Sequence, residues 1–220
     1  IHYINEMANF CEQSGADIRE VAKGMGLDTR IGAKFLSPGP GYGGSCFPKD
    51  TIAMAHMGRL HDVDLSLIEA TIKGNTQRKE MMAKKILQTI KDIPDPQIAI
   101  LGLAFKSGTD DCRQSPAIEI IQNLLQLNHT LKIRVFDPKA TENAKALLKN
   151  TVIYCSSIYE AAQNVDTLII LTEWPEFKNL NLNELRSLTN SVKIIDLRNT
   201  LAKDTVLDAG FEYLGIGQEL

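Results

Sequence analysis

The sequence predicts an α/β protein with a helical segment followed by a mostly parallel, doubly wound sheet. Apolar residues recur at helical spacing in the first part, from Ile4 onward. The second part alternates short apolar runs with helical patterns, which is typical of a parallel sheet. The turn Ile93-Pro-Asp-Pro96 separates them, so we predict a helical domain over 1–92 and a Rossmann-like domain over 93–220.

Four helices are predicted before this turn. The predicted ranges are 2–14, 17–23, 48–59 and 65–91. The last is weakly interrupted at Gly74-Asn75 and would be about 40 Å long. A helix of that length needs a packing partner along it, and an ordinary core position, a contact between the two domains or a dimer contact would each supply one.

The second part begins with a buried strand pattern that ends near a glycine, Gln97-Ile-Ala-Ile-Leu-Gly-Leu-Ala104. Ser115 and Pro116 then supply an N-cap and a first helical residue. The predicted strands are 97–104, 132–138, 152–154, 167–171, 192–196 and 211–214. The predicted helices between them are 116–127, 141–148, 157–163 and 182–188. This alternation places successive strands parallel to one another.

Composition and charge exclude several classes of protein. The 220-residue chain is 44% hydrophobic with a net charge of −3, without the basic stripe of a nucleic-acid binder. No apolar run approaches the ~20 residues that a membrane span needs, and the first residues do not form a signal peptide. The four cysteines are scattered, which argues against a metal site or a disulfide framework. We therefore expect a cytoplasmic protein without nucleic-acid or membrane partners.

The most informative stretch is Gly39-Pro-Gly-Tyr-Gly-Gly-Ser-Cys-Phe-Pro-Lys-Asp50. Its glycines let the backbone approach a ligand, and Pro48 suits the first turn of a helix. Cys46 then lies at a helix N-terminus, where free N–H groups and the helix dipole favour a thiolate. Asp50 follows one turn later, beside Lys49. This arrangement predicts covalent catalysis, and a buried structural cysteine after a tight turn is the alternative.

A second candidate site lies where the predicted strands end, because ligands of doubly wound sheets bind at the carboxyl ends of the strands. The residues at these positions are Phe105, Lys106, Asp137, Trp174 and Arg198. The turn after the first strand has one glycine where a dinucleotide-binding turn has two or three. A nucleoside diphosphate held by Lys106 and Arg198 therefore fits better than a whole dinucleotide, and Trp174 is assigned to packing.

These motifs resemble, in order along nearly the whole chain, the central and C-terminal parts of the UDP-glucose/GDP-mannose dehydrogenase family. The matching stretches are Gly39 to Asp50, Leu101 to Lys106, Thr109 to Ala117, Phe136 to Pro138, Thr172 to Phe177 and Asp196 to Arg198. The resemblance implies a dimerisation domain followed by a UDP-binding domain. It also implies that the NAD-binding N-terminal domain of the family is missing here, so we expect the isolated chain to be inactive.

The resemblance implies the NAD-dependent, four-electron oxidation of UDP-glucose to UDP-glucuronate, with two NAD⁺ and one water consumed. Cys46 would attack the aldehyde that the first hydride transfer produces, giving a thiohemiacetal. Such a tetrahedral adduct releases a hydride more readily than a bare aldehyde, and capture prevents escape. The resulting thioester would be hydrolysed by water with help from Asp50. The catalytic residues implied are Cys46 and Asp50.

The resemblance also implies binding roles, position by position. The residues that correspond to substrate contacts are Arg30, Ser37, Pro38, Gly39, Pro40, Gly41, Tyr42, Gly43, Phe105, Lys106 and Arg198. Lys49 and Arg113 correspond to positions that contact NAD, and Lys49 would also help to keep Cys46 ionised. Arg30 corresponds to an arginine that reaches the substrate of the neighbouring subunit, which implies a homodimer through the helical domain.

Two alternatives remain open. The first is a sister dehydrogenase for GDP-mannose or a UDP-N-acetylhexosamine. The acetylhexosamine enzymes tend to have a histidine before the cysteine, where this chain has Ser45. The second is a non-catalytic module that binds a nucleotide sugar and dimerises, and the presence of both Cys46 and Asp50 argues against it.

Overall fold

The computed structural model describes residues 1–190 and 193–218, and its first part is helical. The helices of this part are α1 (His2–Ser14), α2 (Ile18–Gly26), α3 (Phe47–Leu60) and α4 (Ser66–Thr89). All four predicted helices are present, and α4 continues through Gly74. No helix in the described ranges combines the length and apolarity that crossing a bilayer requires.

The second part is built on a six-stranded sheet with the strand order β3-β2-β1-β4-β5-β6. The strands are β1 (Gln97–Leu101), β2 (Lys132–Phe136), β3 (Ile153–Tyr154), β4 (Thr167–Ile170), β5 (Lys193–Asp196) and β6 (Glu212–Gly215). Each pairing between these strands is parallel, which confirms the predicted fold class. The strand order reverses between β1 and β4, as in other doubly wound sheets. Val192, predicted to begin the fifth strand, lies outside the described residues.

Six helices accompany this sheet within the described residues. They are α5 (Pro116–Leu127), α6 (Thr141–Leu148), α7 (Ile158–Ala162), α8 (Pro175–Lys178), α9 (Leu182–Leu188) and α10 (Lys203–Asp208). The predicted bounds of α5, α6 and α9 are confirmed. The sequence prediction missed α8 and α10, which have four and six residues.

The central strands are buried on both faces, which explains their continuous apolar runs. Residues 98–101 of β1 and all four residues of β4 are buried. Helix α5 buries Ile120, Ile121 and Leu124 and packs against α4. The helical part and the sheet part are therefore joined through helix packing.

Hydrogen bonds at the end of the described chain reinforce this junction. The Gly217 N–H donates to Glu12 Oε1 at 2.8 Å, and the Ile18 N–H donates to the Gly217 carbonyl at 2.9 Å. Glu12 also pairs with Lys85 at 2.7 Å. These contacts hold the segment after β6 on α1 and α2. The long loop between α2 and α3 faces the carboxyl ends of the strands.

Candidate active site

A cleft of about 380 Å³ lies between the loop that precedes α3 and the carboxyl ends of β1, β4 and β5. Its lining residues are Ile1, Phe35, Ser37, Gly39, Gly41, Tyr42, Gly43, Phe47, Phe105, Lys106, Glu173 and Arg198. The two regions that the sequence singled out separately therefore meet in one cavity. The cavity stands beside the point where the strand order reverses, which is where ligands of such sheets bind.

The sheet side of the cleft carries two cations, Lys106 and Arg198. The Lys106 ammonium lies 5.3 Å from the centre of the Phe105 ring. Arg198 Nε donates to the Leu171 carbonyl at 3.0 Å and lies 3.2 Å from a carboxylate oxygen of Glu173. Burial lowers the pKa of the Arg198 guanidinium, and the charge of Glu173 opposes that shift. An arginine stays protonated in proteins, so this wall carries two positive charges together with the Glu173 carboxylate.

The loop side of the cleft approaches the sheet part very closely at Gly43 and Gly44. A Cβ on Gly43 would overlap the carbonyl oxygen of Gln114, and Gly44 has φ of +91°. The Gly44 N–H donates to the Arg113 carbonyl at 3.0 Å. Residues with side chains do not fit this backbone approach, which explains the paired glycines before Ser45.

Cys46 is exposed and is the N-cap residue of α3, as the sequence predicted. Its carbonyl accepts the Asp50 N–H at 2.9 Å, and the Asp50 carboxylate pairs with Lys49 at 2.7 Å. The pKa of Lys49 is raised mainly by its bond to Asp50, and that of Arg113 mainly by its bond to Asp111. The charge of Cys46 adds a smaller upward shift to both pKa values, so both cations lie within electrostatic reach of the thiol.

The predicted site residues do not all line the cleft. Eight of the eleven predicted substrate contacts line it, namely Ser37, Gly39, Gly41, Tyr42, Gly43, Phe105, Lys106 and Arg198. Pro38 and Pro40 are buried between lining residues. Cys46, Lys49, Asp50 and Arg113 are not among the lining residues, although Gly43 and Phe47 on either side of Cys46 are. Arg30 lies on a turn with 87% of its side chain exposed, paired with Asp28 at 2.6 Å.

Sequence reasoning missed three buried polar residues that bond the loop, Asn5, Asn75 and Arg78. Each is at most 6% exposed, and together they bond the backbone of Gly39 and Tyr42. A polar residue beside an apolar helical stripe is normally solvated, so Asn5 and Arg78 gave no signal. Asn75 did leave a signal, namely the pair Gly74-Asn75 that weakly interrupts the predicted helix 65–91. A helix keeps residues of low helix propensity where close packing requires them.

The cleft combines strand-end cations with a glycine-rich loop that leads to Cys46, the N-cap residue of α3, and this is the arrangement of a candidate nucleotide site next to a cysteine. The family model for the central domain of the UDP-glucose/GDP-mannose dehydrogenase family matches residues 1–77. The model for the UDP binding domain of the same family matches residues 99–203. The chain therefore belongs to the UDP-glucose/GDP-mannose dehydrogenase family.

Curated relatives extend this similarity over the whole chain. The UDP-glucose 6-dehydrogenase of Rickettsia prowazekii is 46% identical over 222 residues, which cover 100% of this chain and 51% of the relative. The UDP-glucose 6-dehydrogenase of Rhizobium meliloti is 44% identical over 220 residues, with 99% and 49% covered. The chain thus spans about half the length of the curated relatives it matches.

Solved structures support the same fold. A UDP-glucose dehydrogenase from Pyrobaculum islandicum superimposes with a TM-score of 0.86 at 29% sequence identity. A UDP-D-ManNAc dehydrogenase from Pyrococcus horikoshii superimposes with a TM-score of 0.80 at 28% identity. Each match covers 99% of this chain and 48% of the other chain.

Proposed function

We propose that this chain supplies the nucleophile and the nucleotide-sugar site for the NAD-dependent oxidation of UDP-glucose to UDP-glucuronate. The observation that carries the proposal is the position of Cys46. Cys46 is exposed and occupies the N-cap position of α3, at the end of the loop facing Lys106 and Arg198. The names of the curated relatives support UDP-glucose as the substrate.

Substrate binding uses both walls of the cleft. Lys106 and Arg198 neutralise the diphosphate, and the bond from Arg198 to the Leu171 carbonyl holds the guanidinium in place before the ligand arrives. The backbone of Gly39 to Gly43 follows the ligand on the other wall, where glycines permit a close approach. This orientation directs the sugar towards the end of the loop that carries Cys46.

Cys46 acts as a covalent nucleophile between two oxidations. After the first hydride leaves C6 and the C6 hydroxyl releases its proton to solvent, the thiolate attacks the aldehyde carbon, and the aldehyde oxygen takes up a proton. Loss of the second hydride from C6 and of that proton gives a thioester. Water then adds to the thioester carbon, the C–S bond breaks, and UDP-glucuronate and the thiolate are released. Asp50, one helical turn from Cys46, accepts a proton from the attacking water.

NAD would supply the acceptor for both hydrides. Among the described residues, Lys49 and Arg113 fit this cofactor, because both are exposed cations whose charges reach Cys46. A guanidinium and an ammonium at this position can bind the pyrophosphate or ribose oxygens of a dinucleotide. Arg113 pairs with Asp111 and Lys49 pairs with Asp50, each at 2.7 Å.

We also propose that the protein forms a homodimer through its helical part. Helix α3 leaves Ile52, Met54, Met57 and Leu60 exposed, and each has about half or more of its surface in solvent. The family resemblance implies a homodimer through the helical part, with Arg30 directed at the partner's substrate, and we propose that these exposed residues of α3 contact the second copy. We expect Met57→Lys to shift the sedimentation coefficient towards that of a monomer. Leu207→Lys, at an exposed apolar position on α10, should leave the coefficient unchanged.

The four cysteines are unpaired in the described structure, and this supports the proposal of a reducing, cytoplasmic location. The cellular assignment would be tested by fractionation, with the cytosolic fraction expected to hold the protein. Recovery with the membranes would contradict it.

The decisive experiment is an NADH-formation assay with the chain joined to the NAD-binding N-terminal domain of the family, and with three substrates, UDP-glucose, GDP-mannose and UDP-N-acetylmannosamine. We expect kcat/KM to be highest for UDP-glucose and Cys46→Ser to bring UDP-glucuronate formation to background. The control is Cys155→Ala, which changes a buried cysteine that is distant from Cys46 in the sequence. Unchanged product formation by Cys46→Ser would refute the covalent role, and a preference for GDP-mannose would refute the substrate. Tight UDP-glucose binding without turnover would indicate the non-catalytic module.

A further inference from the structure

The loop segment from Gly39 to Tyr42 is bonded at both ends by buried side chains. The Gly39 N–H donates to Asn5 Oδ1 at 2.9 Å, and the Gly39 carbonyl accepts from Arg78 Nε at 2.5 Å. The Tyr42 N–H donates to Asn75 Oδ1 at 2.9 Å, and Asn75 Nδ2 donates to the Tyr42 carbonyl at 3.0 Å. Side chains of α1 and α4 thus satisfy four backbone groups of a segment in which Pro40 has no N–H of its own.

Asn75 is chemically suited to its two bonds. A carboxamide places one acceptor and one donor in a plane, which matches the N–H and the carbonyl of a single residue. Aspartate and leucine are similar in size to asparagine, but neither can bond both the N–H and the carbonyl of Tyr42. The side chain also packs against Gly41, where a Cβ would lie 2.9 Å from Asn75 Oδ1. Asn75 therefore orients the backbone of Tyr42 and restricts position 41, directly before it, to glycine.

The face of α4 that bonds the loop also bonds the sheet part. Asn75, Arg78 and Lys79 are spaced i, i+3 and i+4, so they lie on one face of the helix. Lys79 Nζ pairs with Glu119 Oε2 of α5 at 2.5 Å, with only 6% of the lysine side chain exposed. Helix α4 thus holds one wall of the cleft by hydrogen bonds and the domain that supplies the other wall by an ion pair.

We propose that Asn75 is a positioning residue for nucleotide-sugar binding. It does not line the cleft, but it fixes the backbone of Tyr42, and Gly41, Tyr42 and Gly43 do line it. Ligand binding to a loop that is already ordered does not have to pay the entropy of ordering it. The identity of the ligand rests on the proposed function, whereas the fixation of the loop does not.

The test compares the protein with Asn75→Ala and with Lys73→Ala, which changes an exposed residue of the same helix. Hydrogen exchange is measured at the Tyr42 amide, and UDP-glucose binding by calorimetry. Loss of the buried bonds is expected to speed exchange of the Tyr42 amide about tenfold and to weaken UDP-glucose binding about tenfold. In the chain joined to the NAD-binding domain of the family, KM for UDP-glucose should rise by the same factor, while KM for NAD stays within about twofold. Lys73→Ala should change none of these quantities.

Each outcome decides the proposal. Unchanged exchange at Tyr42 in Asn75→Ala overturns the positioning role, as does faster exchange with unchanged UDP-glucose affinity. A rise in both KM values would indicate a general structural defect and also overturn it. If the unaltered protein binds no UDP-glucose, the proposed function and the ligand assignment fail together, and the exchange data still decide whether Asn75 fixes the loop. Asn75→Ser, with a shorter polar side chain, is the second variant should Asn75→Ala not fold.

Discussion

The indole Nε1 of Trp174 donates a hydrogen bond to the Asp137 carboxylate at 3.0 Å, across the carboxyl ends of β4 and β2. The same oxygen, Oδ2, accepts the N–H groups of Leu103 and Ala104 at 2.7 and 3.1 Å. The carboxylate thus joins the segments that follow three strands, while Asp137 is only 3% exposed. The segments that carry Phe105, Lys106 and Glu173 into the cleft therefore adjoin residues bonded by this carboxylate.

Asp137→Asn should therefore destabilise the protein. An amide nitrogen in place of either oxygen would face N–H donors, so at least one buried donor loses its acceptor. We expect the free energy of unfolding to fall by about 2–3 kcal/mol, measured by urea denaturation. Asp208→Asn, at an exposed position on α10, should change it by less than about 0.5 kcal/mol. Equal effects of the two substitutions would contradict the bonding role of Asp137.

The ion pair between the buried Lys79 and the half-buried Glu119 should show strong coupling. Only 6% of the Lys79 side chain and 34% of the Glu119 side chain are exposed, so removing one partner leaves a charge in a poorly solvated place. Lys79→Met and Glu119→Leu should each destabilise the protein by about 2 kcal/mol or more, and the double variant by less than their sum. A double-mutant cycle in urea measures the coupling energy. Additive effects would show that the two side chains act independently.

Gly43→Ala should separate the loop from the sheet part. The new methyl group would collide with the Gln114 carbonyl and with Pro116 Cδ, and the backbone has to move because a carbonyl cannot rotate away. We expect a loss of about 2 kcal/mol in unfolding free energy and weaker UDP-glucose binding.

Gly24→Ala is the matched control for this substitution. Gly24 lies within α2, and a Cβ there meets no atom within 4 Å. Alanine is a better helix former than glycine, so this variant should gain about 0.5–1 kcal/mol. Similar losses in both variants would rule out the collision as the cause.

Alkylation should distinguish Cys46 from the other three cysteines. Burial raises the pKa of Cys11 and Cys155, and it raises the pKa of Cys112 to about 12. These thiols therefore stay protonated and shielded at neutral pH, whereas Cys46 is exposed. Iodoacetamide should modify Cys46 faster than the others by about two orders of magnitude, as measured by mass spectrometry of peptides. In urea all four should react, and a fast native reaction at Cys112 would contradict the burial argument.

The fold was largely predictable because local patterns specify it. Continuous apolar runs mark β1 and β4, which are buried on both faces, and Ser115-Pro116 marks the start of α5. The site was predictable in part, since Lys106 and Arg198 follow strands whose carboxyl ends must share one edge of a parallel sheet. Family membership is confirmed, and the individual roles of the site residues remain predictions.

The sequence by itself determined the class of sheet, the helix-capping position of Cys46 and the cations at the strand ends, because each depends on residues close together in the chain. Only the tertiary structure decided that Asn75 bonds Tyr42, that Gly43 meets Gln114 and that the loop and the strand ends form one cleft. These contacts join residues distant in sequence. The direction of a buried polar side chain depends on the unpaired backbone groups that packing brings to it, and those groups leave no periodic pattern in the sequence.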